Sequence, residues 1–421
     1  MKFLILSDIH FIASAEEQDS NARMRKAFLK DLQDYVGVKD SFDYILISGD
    51  VANTGAEDEF KKAYKLINEI CEIVKCATDR VFVVPGNHDK NFLAYNPELR
   101  HLINAGLSCE TAKPDEKFTE LLNKDFNNFK LLYRPFECYH NFALSFDSSE
   151  PMMQKIIDNS DVSEFDKDND KLYLKSQLND LGDYHVYLYC LNTSLISDWD
   201  DLKDDGTGHK QFLSSLGYNA IADSEGCINI AMMHHPLTHL VDRQKVESAL
   251  DRNFQLQIYG HLHRSASSVE NAIRIESGAL QPPTEDGSTA YFSIYNIVEL
   301  KVLQNDEKLD TLQVALNVQK YKEETNRFEE DPASCNTYTI PLKNHVNRWK
   351  QEKPAPKIAL PEGITLRQVR VKFLQHKNRK ALMGADFDEK KSINENSVRF
   401  LTKIESEGRL AELWNKMKQT L

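Results

Sequence analysis

Along the first 260 positions, short runs of consecutive apolar residues alternate with longer stretches in which apolar positions recur every three or four. Lys2-Phe3-Leu4-Ile5-Leu6-Ser7, Tyr44-Ile45-Leu46-Ile47-Ser48 and Arg80-Val81-Phe82-Val83-Val84 are built on runs of the first kind. Ala22 to Tyr35 and Asp58 to Lys75 are stretches of the second. A short unbroken apolar run fits a strand buried on both faces, and a period near 3.6 fits an amphipathic helix. The alternation predicts βαβ units and a parallel sheet. Strand signals return at His185 to Leu191, Cys227 to Met233 and Leu256 to Tyr259. Beyond them, Ala290 to Leu300 and Thr311 to Tyr321 read as antiparallel strands closing a second sheet.

Two segments break this rhythm. Residues 91–170 are polar and rich in Asn and Asp, with weak helical spacing such as Phe118 to Leu132, and read as an insertion that caps or borders a site. Its aromatics Tyr95, Phe118, Phe126, Phe129, Tyr133 and Tyr139 either stack on a base or fill a core. Pro354, Pro356, Pro361 and Gly363 mark a semi-rigid linker. After it, Leu366, Val369 and Phe373, then Leu410, Leu413, Trp414 and Met417, fall at helical spacing. The expected organisation is a catalytic domain over 1–342, a Pro-rich linker over 343–363 and a helical accessory module over 364–421.

Composition narrows the class. With 41% hydrophobic and 28% charged residues in 421, the chain has the profile of a globular protein. No apolar stretch approaches the roughly 20 residues of a membrane span. Phe3 to Leu6 is cut off by Ser7 and Asp8, too short for a signal-peptide core, so no membrane contact and a cytoplasmic location are expected. The seven cysteines lack CxxC spacing and fit reduced thiols, with Cys71 and Cys76 as packing residues. The net charge of −13 is unevenly spread. Residues 343–421 carry 18 basic against 9 acidic side chains, a balance of +9 that leaves −22 on residues 1–342. So acidic a catalytic part argues against sequence-blind binding of long duplexes, which needs many phosphate-neutralising cations. In the tail, Lys377, Arg379, Lys380, Lys390 and Lys391 form either a solvated helical face or a docking surface for an acidic partner, protein or nucleic acid, with Trp414, Leu410 and Met417 as its anchor.

Five clusters of potential metal ligands follow the predicted strands: Asp8-Ile9-His10, Gly49-Asp50, Gly86-Asn87-His88-Asp89, His234-His235 and Gly260-His261-Leu262-His263. In a parallel sheet, ligands gather beyond the carboxyl ends of the strands. Hydrolysing a phosphoester in neutral water needs a strong nucleophile and compensation for phosphoryl charge, and two cations about 3.5–4 Å apart supply both. Asp50 is the candidate bridge. Asp8, His10 and His263 can reach one ion, and Asn87, His234 and His261 the other. Oxygen and imidazole donors without thiolate suit manganese, iron or zinc. His88 has an imidazole to spare for donating a proton to the leaving oxygen or for binding the phosphoryl group, with Asp89 to orient it. His101, His140, His185, His209 and His239 lie outside the clusters and receive no role.

The order Asp-x-His, Gly-Asp, Gly-Asn-His-Asp, His and Gly-His-x-His resembles the calcineurin-like metallophosphoesterase superfamily over about residues 1–300. The wording Ser7-Asp8-Ile9-His10, Ser48-Gly49-Asp50-Val51 and Val84-Pro85-Gly86-Asn87-His88-Asp89 is most similar to its class III cyclic-nucleotide phosphodiesterase branch. The resemblance implies a four-layer α/β/β/α sandwich and a binuclear centre. Asp8, His10, Asp50 and His263 would ligate the first ion, Asp50, Asn87, His234 and His261 the second, and His88 would be the catalytic histidine. His235 competes with His234 for its place, and the resemblance favours His234. The implied activity is hydrolysis of phosphodiesters of nucleotides or small organophosphates by a metal-bridged hydroxide. A nuclease acting on DNA or RNA and an effector recruited through the C-terminal module are the alternatives.

Overall fold

The computed structural model of the protein describes residues 1–12, 21–38, 41–91, 97–107, 114–158, 162–164, 166, 170–198, 201, 208–219, 221, 226–282, 292–304, 309–342, 360 and 363–419. The chain opens with β1 (Lys2–Leu6), α1 (Ala22–Val38), β2 (Tyr44–Ile47), α2 (Glu57–Val74) and β3 (Val81–Val83). The insertion contributes α3 (Pro97–Leu107), α4 (Pro114–Lys124), α5 (Asn127–Tyr133), α6 (Glu137–Leu144) and α7 (Pro151–Asp158). Then come β4 (Tyr173–Gln177), β5 (His185–Leu191), α8 (Ser215–Tyr218), β6 (Cys227–Met232), α9 (Arg243–Asn253), β7 (Leu256–Tyr259), β8 (Ala266–Val269) and β9 (Ile273–Glu276). Four long or paired strands follow: β10 (Ile294–Leu303), β11 (Thr311–Lys322), β12 (Arg327–Glu330) and β13 (Asn336–Pro341). The chain finishes with α10 (Leu366–Leu374), α11 (Arg379–Met383), α12 (Ile393–Ser406) and α13 (Leu410–Gln419).

Two sheets stack face to face. The first runs β12-β11-β10-β1-β2-β3, with β13 also pairing β11, and the second runs β4-β5-β6-β7-β9-β8. Because side chains alternate along a strand, Phe3 and Ile5 of β1 enter the apolar layer between the sheets. Leu4 and Leu6 face the other way, into the layer beneath α1 and α2. A third layer, with Leu250, Val246 and Tyr259, joins the second sheet to α9. The result is an α/β/β/α sandwich. Helix α2 shows how sequence builds it: Phe60, Ala63, Ile67, Ile70 and Val74 make one buried stripe. At its start the Glu59 carboxylate accepts the N–H groups of Thr54 and Ala56, at 2.9 and 3.1 Å.

Two expectations are corrected and one open choice is decided. Strands β10 and β11 do not close a second sheet; β10 pairs antiparallel with β1, Phe3 opposite Val298, and so extends the first. β1 had only β2 on one side, and its other edge needed a hydrogen-bonding partner. Secondly, of the two readings of the insertion aromatics, core filling holds: Phe118, Phe129, Tyr133 and Tyr139 are buried, with Phe118 stacked on Phe212 at 4.6 Å. Phe126 packs against the same core, while Tyr95 lies outside the described residues.

Thirdly, Trp414, Leu410 and Met417 are not an exposed anchor. They fill the core of the C-terminal helices together with Val369, Phe373, Phe400 and Leu401. Those helices dock on the catalytic sandwich. Arg367 donates to the carbonyls of Asp79, Val81, Phe146 and Asp147 at 2.6–3.0 Å and lies 4.1 Å over the Phe82 ring. Arg370 pairs with Asp147 at 2.8 Å. Several tail cations are likewise engaged within the module, such as Lys380 with Glu389 at 2.7 Å and Arg379 with Asn394 at 3.1 Å. Pro354, Pro356 and Pro361 of the expected linker lie outside the described residues. No helix among the described residues is long and apolar enough to cross a membrane.

Candidate metal centre

All five clusters converge where the carboxyl ends of the two sheets meet. β1 leads into Asp8 and His10, β2 into Asp50 and β3 into Asn87 and His88; from the second sheet, β6 leads into His234 and β7 into His261 and His263. The loops turn abruptly. Asp8, His10, Asp50, His261 and His263 all have positive φ, between 46° and 72°, a conformation that costs a non-glycine residue of order 1–3 kcal/mol. Five such residues at one site mean that the surrounding fold imposes the geometry. Gly86 is required for space, since a Cβ there would fall on the Asp50 carboxylate.

The side chains form two overlapping sets. In the first, His263 Nε2 lies 3.2 Å from Asp8 Oδ1 and 3.4 Å from His10 Nε2. His10 Nε2 in turn is 3.8 Å from Asp8 Oδ1 and 3.9 Å from Asp50 Oδ2. In the second, His234 Nε2 is 3.3 Å from Asp50 Oδ2 and 3.0 Å from Asn87 Oδ1. His261 Nδ1 is 3.2 Å from Asn87 Oδ1 and 3.3 Å from His234 Nε2. Donors bound at about 2.0–2.2 Å to one ion sit roughly 3–4 Å from each other, so both sets have the spacing of a coordination sphere. Asp50 belongs to both. Its Oδ1 accepts the His88 N–H at 2.8 Å, leaving Oδ2 to face the two sets.

Further contacts fix which atoms point inward. His234 gives its Nδ1 hydrogen to the Ser48 carbonyl at 2.8 Å, which leaves the Nε2 lone pair for a ligand bond. Asp8 Oδ2 is held by the Ser7 hydroxyl and by the His261 N–H. Its Oδ1 is buried, makes no other contact of hydrogen-bond type among the described residues and faces His263 Nε2 at 3.2 Å, and a buried carboxylate oxygen among imidazoles fits a cation. Although burial works the other way, His263 and His234 hold Asp8 at about 2. Against the same effect of burial, His234 and His88 hold Asp50 well below the usual range. Burial lowers His10 to about 4 and takes His261 well below its ordinary value. These are the protonation states that bind metal. His234 and His263 go the opposite way: against burial, Asp50 raises His234 to about 9 and Asp8 raises His263, so ion binding there must displace protons.

His88 has its Nδ1 on the Asn53 carbonyl at 2.8 Å. The expectation that Asp89 orients it is corrected: Asp89 is buried and its two oxygens accept the N–H groups of Ala52 at 2.8 Å and Gly86 at 2.9 Å. Burial and then Asp50 push its pKa up to about 8. It ties two ligand loops together. Of the histidine pair, His234 stands in the second set, whereas His235 turns its Nδ1 to Thr193 at 3.0 Å. The roles of Ser48, Asn53 and Thr193 are not legible in the sequence, because Ser48 and Asn53 act through their backbone carbonyls and Thr193 through a hydroxyl far along the chain. His239 does approach the centre, its ring 4.8 Å from that of His261. His140, His185 and His209 instead serve local pairs with Asp158, Asp180 and Asp198, and His101 is exposed on α3.

A double-sheet sandwich with two carboxylates, an amide and four imidazoles converging at its edge defines a metallophosphoesterase. The chain belongs to the calcineurin-like phosphoesterase family, whose model matches residues 1–265, and it is a metal-dependent phosphoester hydrolase of that family. It is similar to a Vps29 mutant from Entamoeba histolytica at 10% identity over 82% of this chain and 100% of that one, with a TM-score of 0.32. It is also similar to the purple acid phosphatase PPD1 from yellow lupin seeds at 12% identity over 85% of this chain and 57% of that one, with a TM-score of 0.36. A predicted phosphoesterase from Streptococcus pneumoniae matches at 12% identity over 80% and 97%, with a TM-score of 0.29. No curated protein matches the chain.

Proposed function

We propose that the protein is a binuclear phosphodiesterase acting on nucleotides or small organophosphates. The Asp50 carboxylate carries this reading, because Oδ1 is pinned by His88 N–H while Oδ2 faces His10 at 3.9 Å and His234 at 3.3 Å. One oxygen thus serves both ligand sets, Asp8, His10, Asp50 and His263 on one side and Asp50, Asn87, His234 and His261 on the other. Two divalent ions, manganese, iron or zinc by donor type, would supply a strong nucleophile at neutral pH and compensate phosphoryl charge. His88, with its Nδ1 hydrogen on the Asn53 carbonyl, keeps Nε2 for the phosphoryl group or leaving oxygen.

Charge favours a diester. The catalytic part carries −22, and a monoanionic diester is repelled less by such a field than a dianionic monoester. The likeness of the Ser-Asp-Ile-His and Gly-Asn-His-Asp motifs to the cyclic-nucleotide branch supports the same class. A nuclease reading is weakened by the tail, whose Arg367 and Arg370 are spent on holding the module to the sandwich. Free thiols such as Cys71, Cys76 and Cys190 fit a reducing, cytoplasmic setting.

The test is metal content by mass spectrometry, followed by hydrolysis of bis-p-nitrophenyl phosphate, p-nitrophenyl phosphate, 2′,3′- and 3′,5′-cyclic nucleotides and labelled DNA and RNA. About two ions per chain and a preference for small diesters are expected. A fully loaded protein inert on every small diester would sink the proposal, and cleavage of strands alone would replace it with the nuclease reading.

A further inference from the structure

Strand β5 ends at Leu191, and the residues after it reach the ligand-bearing loops although no metal-binding cluster marks them. Thr193 is wholly buried. Its hydroxyl touches His235 twice, accepting the backbone N–H at 3.0 Å and lying 3.0 Å from Nδ1 of the ring. A threonine hydroxyl owns one hydrogen and two lone pairs. With one lone pair taken by the main chain, the hydroxyl hydrogen has Nδ1 as its acceptor. The reverse arrangement, Nδ1–H donating to the hydroxyl, would leave the hydroxyl hydrogen buried and unpaired. The neutral ring therefore carries its own hydrogen on Nε2.

That Nε2 is buried and makes no hydrogen bond among the described residues. It is not remote from the chemistry: His234, His235 and His261 each bring a ligand-type atom within 4.8 Å of the others, and the His235 ring is centred 4.6 Å from that of His261. A nitrogen bearing hydrogen cannot ligate an ion; it can only donate. What it needs is an oxygen acceptor at the His234–His261 end of the site, and the described residues supply none.

We infer that His235 Nε2–H donates a hydrogen bond to a phosphoryl oxygen of the bound ester or product phosphate, with Thr193 as the positioning residue that fixes the tautomer. The inference rests on the proposed phosphoesterase function. It gives the phosphoryl group an imidazole at each end, His88 beside His10 with ring centroids 4.8 Å apart and His235 beside His261. The two differ in kind: the Asn53 carbonyl puts the His88 hydrogen on Nδ1, and the Thr193 hydroxyl puts the His235 hydrogen on Nε2.

The tautomer can be read without metal. In protein labelled with 15N at histidine, long-range proton–nitrogen correlation should show His235, assigned by its loss in His235→Phe, protonated at Nε2; Thr193→Val should mix the tautomers and Thr193→Ser restore them. In manganese-loaded protein, His235→Phe should keep the wild-type metal content and bind inorganic phosphate roughly 10- to 100-fold more weakly, the worth of one hydrogen bond to an anion. Thr193→Val should weaken phosphate in the same direction and Thr193→Ser should not. An Nδ1-protonated His235, loss of an ion in His235→Phe, or unchanged phosphate affinity would each overturn the inference. Should His235→Phe fail to fold, the Thr193 pair decides it. A wild-type protein that takes up no manganese would remove the proposed function and this inference together, whereas a loaded wild type with the other tautomer removes only the inference.

Discussion

The carbonyl oxygen of Asn53 lies 2.8 Å from Nδ1 of His88. A carbonyl can only accept, so the ring hydrogen sits on Nδ1 and Nε2 is the nitrogen left for chemistry. His88 is thereby separated from its neighbour Asn87, whose amide oxygen belongs to the second ligand set.

His88→Ala should accordingly retain both ions and lose roughly 10²–10⁴-fold in rate, the usual worth of general acid catalysis. The loss should shrink for p-nitrophenol esters, which leave without protonation. Metal content and rates for good and poor leaving groups check this; an equal loss for both would make His88 a phosphoryl-binding group only.

Asp50→Asn should release both ions rather than one, because neutralising a shared anion raises the repulsion between two cations. His10→Ala should affect mainly the first ion. Titration calorimetry with manganese distinguishes the two; tight binding of both ions by Asp50→Asn would remove Asp50 from the bridging position.

Removal of the C-terminal helices should destabilise the sandwich and not simply shed an appendage. Arg367→Ala leaves the carbonyls of Asp79, Val81, Phe146 and Asp147 without their donor and uncovers Phe82, for an expected loss of about 2–4 kcal/mol. Urea denaturation measures it. A midpoint equal to that of the wild type would show that the docking contributes nothing.

Glu150 makes stability depend on pH. Burial, only partly opposed by Tyr133 and Asn192, raises its pKa from 4.5 to about 8. The folded state therefore binds a proton that the unfolded state has already lost, so this contribution is complete below pH 4.5 and falls away as pH rises toward 8. The slope is at most about 1.4 kcal/mol per pH unit. Glu150→Gln should flatten it and be the more stable protein at pH 8; an unchanged profile would rule out a protonated Glu150.

Much of this protein is written locally. Leu4 to Leu6, Ile45 to Ile47 and Val81 to Val83 are unbroken apolar because their strands are buried on both faces, and ligand-type residues immediately follow each, so strands and clusters can be read residue by residue. The amphipathic stripe of α2 is legible for the same reason.

What the sequence could not determine depends on pairing between distant segments. Whether β10 joins the first or the second sheet turns on which strand edge is left open, and β1 is nearly three hundred residues away, Lys2 opposite Glu299. The apolar stripe of Trp414 reads alike whether it faces a partner or the neighbouring helices, and only the packing with Phe373 and Phe400 decides. At the site, the sequence determined which residue types were present, by spacing and chemistry. Tertiary structure alone decided that Asn53 rather than Asp89 holds His88, and that His234 Nε2 faces Asn87 while His235 turns Nδ1 to Thr193. A hydrogen bond to a backbone carbonyl, or to a hydroxyl 42 residues away, leaves no mark on the identity of the residue that makes it.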